Sequence, residues 1–98
     1  MDDVIANAIK DRERLYIEYD PGGRLVEPHA FGRGSDNQLL IRAFQVEGES
    51  ASGEHTNWKL LRLDRVRAVS GSGQAFPEPR PGYKRGDSAM KNGIIAEL

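Results

Sequence analysis

The sequence predicts a mainly β domain: one short α-helix followed by five short strands that form a small barrel. Three observations carry this expectation. Helical spacing of apolar residues is confined to the start of the chain. Short apolar runs follow it, alternating at Leu15–Tyr19 and continuous at Leu39–Ile41. Gly, Pro, Asp and Asn clusters separate those runs, and closure of several short strands removes exposed sheet edges.

Taken in order, Val4, Ile5, Ala8 and Ile9 recur on one face of a helix from about Asp3 to Arg12, with Asp2 or Asp3 available as a cap. Leu15, Ile17 and Tyr19 share one face of a first strand, and Tyr16 and Glu18 the other. Asp20-Pro21-Gly22-Gly23 is turn chemistry with Pro at the second position, so Arg24–Phe31 completes a hairpin. Pro28 cannot donate to a ladder, which places it at an edge or a bulge. After a polar turn at Gly32–Asn37 come a third strand, Gln38–Val46, and a mobile loop rich in Gly, Ser and Glu, Glu47–Asn57. Trp58–Leu63 is a fourth strand, followed by a tight bend at Asp64 and a fifth strand over 66–70. Gly71–Gly73 turns the chain into Phe76–Tyr83, whose Pro77, Pro79 and Pro81 imply an extended segment lying over the barrel. Residues 88–98 fit strand or helix. The organisation expected is a single domain over 1–98: helix about 3–12, barrel about 15–70, and a Pro-rich and C-terminal extension over 71–98.

Composition narrows the function classes. There is no cysteine, which excludes disulfides, Cys-based zinc sites and thiol catalysis. The acidic start, with no long apolar run after it, leads us to expect a cytoplasmic protein with neither signal peptide nor membrane span. Net charge is −1, without the positive excess of a protein that coats DNA. The charge is polarised, however: residues 1–20 carry −3 and residues 58–69 carry +3. The expectation is a local cationic site on an otherwise balanced surface. Catalytic signatures are missing: no Gly-x-Ser-x-Gly, no His-Glu-x-x-His, no phosphate loop. We therefore expect no enzyme, no metal and no cofactor.

The runs Ala8-Ile9, Leu15-Tyr16-Ile17-Glu18-Tyr19 and Arg24-Leu25-Val26-Glu27-Pro28-His29 resemble the opening of the WYL domain family. Ala43-Phe44, Trp58-Lys59-Leu60-Leu61 and, most specifically, Arg62-Leu63-Asp64-Arg65-Val66 resemble its central and closing strands, and Phe76 has a counterpart after them. The likeness covers about residues 5–80. Leu39-Leu40-Ile41 stands where the family has the Trp-Tyr-Leu that names it, and Lys59 where it usually has Arg. Family members are typically fused to a winged helix-turn-helix, for which this chain has no room. The resemblance implies an Sm-like or SH3-like barrel that senses an anionic ligand, a nucleotide or short single-stranded nucleic acid, in transcription control or phage defence.

Candidate ligand-binding residues follow. Arg62 and Arg65 flank a bend, so two guanidinium forks can converge on one phosphate; a structural ion pair with Asp64 or Glu27 is the competing reading. Arg24 and Arg42 lie on neighbouring strands where the resemblance implies cations, and Lys59 adds a further one. His29 resembles a polar pocket position, although a lone His is also commonly a satisfied structural residue. Tyr19 is either core or a lining group whose hydroxyl reaches the ligand. Trp58 can stack on a base or pack at an edge. A second function class is a protein-interaction or homodimerisation module, using the acidic helix and the Pro-rich segment.

Overall fold

Ile5, Ala8 and Ile9 form the buried face of helix α1 (Asp2–Asp11), whereas Val4, expected on the same face, is exposed. The computed structural model describes residues 1–98. Asp2 and Asp3 lie in the first turn and make no side-chain cap; their charges face the positive end of the helix dipole instead. Arg12 ends the helix in a left-handed conformation, its N–H directed at the carbonyls of Ala8 and Ile9.

Six antiparallel strands follow: β1 (Glu13–Tyr19), β2 (Gly22–Arg33), β3 (Leu39–Gly48), β4 (Asn57–Arg62), β5 (Ala68–Ala75) and β6 (Ile94–Glu97). The order is β4-β3-β2-β1-β5, with β6 on β2. No ladder joins β4 to β5, so the sheet is open and has one strand more than the five expected. The additional strand comes from the C-terminal stretch whose periodicity left strand and helix open. A 3-10 turn at Leu63–Arg65 replaces the bend expected at Asp64.

Strand β2 is the centre of the architecture. One edge pairs with β3 along Arg24–Arg33, while the other pairs first with β1 (Gly22–Val26) and then with β6 (Ala30–Gly32). Pro28 lies in the gap between β1 and β6, at a shift in the β3 register, so its missing N–H disrupts no ladder there. The turn before β2 differs from expectation: Tyr19 pairs with Gly22, so Pro21 is the third residue of the turn, after a cis peptide bond. Gly71–Gly73 is not a turn either. It lies within β5 at a register shift against β1, with the Gly73 N–H donating to Glu13 and the Ser72 hydroxyl to the Arg14 carbonyl.

Two cores result. The larger unites Ile5 and Ile9 with Leu15, Ile17, Phe31 and Ile41. Leu39 and Leu63 pack against it but stay partly exposed, less buried than their apolar character leads one to expect. On the other side of the sheet Ala30 and Leu40 meet Met90, because residues 76–93 run back across that face as a strap. Gly32 permits the close approach: a Cβ there would lie 2.4 Å from the Gly93 carbonyl oxygen and 3.0 Å from the Met90 sulfur. Gly32→Ala is expected to cost about 1–3 kcal/mol through this overlap. Gly34→Ala meets only the flexible Gln38 amide and should change the thermal midpoint little. Equal midpoints for the two variants would refute the packing described.

Candidate functional site: the cleft between strap and sheet

Because β2 is covered on both faces, its polar residues Glu27 and His29 are buried, at 1% and 0% exposure. A buried carboxylate must be paired, and Glu27 has two guanidinium partners. Arg14 reaches Oε2 at 2.9 Å, and Arg80 bridges both oxygens at 2.7 and 3.2 Å. Burial pushes the Glu27 carboxyl up, but the hydrogen bonds and charges of Arg80 and Arg14 outweigh it and hold the group below its ordinary value.

His29 is satisfied in the same way. Its Nε2 accepts the backbone N–H of Arg80 at 3.0 Å, which places the ring proton on Nδ1, where it donates to the Glu27 carbonyl at 2.8 Å. Phe76 stacks on the ring, and Trp58 and Tyr83 meet it edge-on. The Arg80 guanidinium also covers the Phe44 ring at 4.5 Å. The strap is thus fastened at Phe76, Arg80 and Tyr83.

Beyond these anchors a cleft of about 340 Å3 opens between the strap and strands β3 and β4. Arg42 and Trp58 form its sheet side; Tyr83, Lys84, Arg85 and Asp87 form its strap side. Gly82 and Gly86, both at positive φ, allow the chain to bend on either side of Tyr83-Lys84-Arg85. Asp87 forks onto Arg42 at 2.7 and 3.2 Å, and the Arg42 hydrogen bonds hold its carboxyl below the ordinary carboxylate range. Arg85 reaches Glu97 at 3.1 Å, whereas Lys84 has no acidic partner. Trp58 and Tyr83 stand nearly parallel, 6.3 Å between ring centres, and an added Cβ at Gly82 would stand 3.6 Å from the indole nitrogen. That indole N–H donates to no group of the protein, although it lines the cleft. Cation, donor and aromatic surface therefore meet in one concavity.

Of the residues singled out in the sequence, the structure brings Arg42 and Trp58 together here. Tyr19 and Arg24 instead secure the β1–β2 hairpin. The buried Arg24 guanidinium lies 4.9 Å from the Tyr19 ring centre and donates to the carbonyls of Tyr19 (3.3 Å) and Asp20 (2.6 Å), while the Tyr19 hydroxyl accepts the Arg62 N–H at 3.3 Å. His29 lies beneath the strap. Lys59 bonds the hydroxyls of Ser50 and Ser52 at 2.9 and 3.1 Å and pins the β3–β4 loop. Arg62 forks onto Asp64 at 2.7 and 3.1 Å, the ion pair that competed with a ligand role. Arg65 is exposed on the 3-10 turn, outside the cleft. Of the four arginines singled out, only Arg42 lines the cleft.

Sequence reasoning passed over Arg80, Lys84, Arg85 and Asp87, and it offered Glu27 as a partner for Arg62 or Arg65, whereas Glu27 pairs with Arg14 and Arg80. A signal for Lys84, Arg85 and Asp87 was present in Gly82-Tyr83-Lys84-Arg85-Gly86-Asp87, an aromatic and two bases between glycines. No group of His, Asp or Glu side chains is placed to hold a metal ion. No protein-family model, curated protein or solved structure matches the chain.

Acid should loosen the strap. Burial holds His29 below its ordinary value, with the Glu27 carbonyl and charge opposing, so the unfolded chain takes up that proton more readily than the folded one. The associated stability is complete above about pH 6.5 and is lost as pH falls below it. Thermal midpoints should fall between pH 7 and 5 in the wild type, with the slope in this window much reduced in His29→Gln. An unchanged slope in the variant would contradict the tautomer and packing assigned to His29.

Proposed function

We propose that the chain is a binding module for a phosphate-bearing ligand, a nucleotide or a few nucleotides of single strand, seated in the cleft between strap and sheet. One observation carries the reading: Lys84 and Arg85 line a cavity of about 340 Å3 together with Trp58, whose indole N–H has no partner in the protein, and the adjacent Tyr83 ring. Lysine and arginine supply charge for phosphate, and the aromatic pair supplies a surface for a base. The volume falls in the range of small-ligand sites. Binding without catalysis is the simpler account, since the buried imidazole has both ring nitrogens engaged. The strand order β4-β3-β2-β1-β5, with a 3-10 turn before β5, is compatible with an Sm-like or SH3-like barrel that lacks its closing ladder. Together with the WYL-like segments, it supports a cytoplasmic regulatory role in transcription or phage defence. No helix is long and apolar enough to cross a membrane.

Trp58 is the only tryptophan, so its fluorescence reports on this cleft. Titration with nucleoside mono-, di- and triphosphates and a short single strand should change the emission saturably. Lys84→Ala and Arg85→Ala should each weaken binding by about 1.5–3 kcal/mol, the cost of one charge-assisted contact. Arg62→Ala and Arg65→Ala should leave it unchanged. The salt dependence should be shallow, because few phosphates are neutralised. Absence of a saturable response to every ligand, or tighter binding to duplex with a steep salt slope, would overturn the proposal.

A further inference from the structure

A larger cavity, about 570 Å3, lies outside the strap's footprint, on strands β5, β1, β2 and β3. Two cross-strand rows build it. Ser70, Tyr16, Leu25 and Glu47 are in register across the four strands, a span of about 14 Å at the usual strand spacing. Ala68, Glu18 and Gly23 form the next row. The small residues of both rows leave the depression open, and Leu25 is buried in its floor.

Tyr16 is the one large aromatic of this surface and is 48% exposed, an unusual expense of apolar area for a residue in the middle of a sheet. Glu18 and Glu47 lie in the same two rows, both exposed, and neither forms an ion pair with the chain's own bases. The Glu18 side chain extends over Gly23, where a Cβ would stand 3.3 Å from its Oε1. The one cation of the lining, Arg24, is buried, with its guanidinium directed to the carbonyls of Tyr19 and Asp20. Arg67, beside the groove, is paired with Asp20.

We propose that this groove docks an extended peptide segment of a partner protein through an arginine side chain. A guanidinium is planar, so one group can lie against the Tyr16 ring and fork onto a carboxylate at its edge. The methylene stem covers Leu25, which a small free cation would leave wet. Complementarity of charge selects the occupant: unpaired carboxylates and an aromatic face attract a cation and disfavour the phosphate-bearing ligand assigned to the other cleft.

The test uses the full chain and a capped five-residue peptide with arginine between two leucines, followed by amide chemical shifts. Saturable shifts are expected at Tyr16, Glu18, Gly23, Glu47 and Ser70, at positions distinct from those moved by a nucleotide. Replacing arginine by its uncharged isostere citrulline should weaken binding at least tenfold, and replacement by lysine should weaken it less. Tyr16→Ala, and separately Glu18→Gln with Glu47→Gln, should each weaken it at least tenfold with an unchanged spectrum elsewhere. No saturable shifts, equal binding of the citrulline peptide, or shifts confined to the strap cleft would each overturn the inference.

Discussion

Glu27 carries a negative charge into a strand covered on both faces, and the surrounding structure answers it with two guanidinium groups. An unpaired carboxylate there would be strongly destabilising, so Arg14 and Arg80 are held where they are by the cost of their absence. Arg14 belongs to the strand beside β2, but Arg80 lies 53 residues away in sequence. The charge therefore decides the path of the C-terminal strap. Once Arg80 is in place its N–H meets His29, Tyr83 meets the imidazole edge-on, and the following residues reach Arg42 through Asp87.

The proposed ligand cleft depends on this arrangement because one of its walls is the strap itself. Lys84 and Arg85 have no regular secondary structure to orient them; they are positioned by the anchors on either side, Tyr83 with Arg80 before and Asp87 with Met90 after. Asp87 also sets the electrostatics. It neutralises Arg42, leaving Lys84 and part of Arg85 as the charge available to an anion. The groove around Tyr16 has the opposite sign and needs no strap, being lined by strand residues alone. Two clefts of unlike charge thus lie on one small sheet.

Elements set by local chemistry were legible in the sequence. The helix face at Ile5, Ala8 and Ile9, the alternation at Leu15 and Ile17, and the bulge position of Pro28 all follow from spacing and from what each backbone can donate. What was not legible depends on distant partners. Gly71–Gly73 reads as a turn, but Glu13 and Arg14 satisfy its backbone groups and keep it in β5. Glu27 and His29 read as polar positions on a strand face, since nothing local says that residues 76–83 will cover them. Arg62 and Arg65 are prominent as a cationic pair, yet Asp64 takes the Arg62 guanidinium and Arg65 stands apart on the 3-10 turn. The candidate site was legible only at Arg42 and Trp58, because its other wall comes from a segment whose position is set by tertiary packing.

Amide hydrogen exchange at Arg80 tests the central claim most directly. Its N–H is bonded to His29 Nε2 only while the strap is latched, and the Glu27 carboxylate is what latches it. In Glu27→Gln the account predicts loss of protection at Arg80, with protection retained at Ile41 and Leu61 in the β3–β4 core. Equal protection of the Arg80 amide in the wild type and the variant would show that the strap is held by something other than this charge.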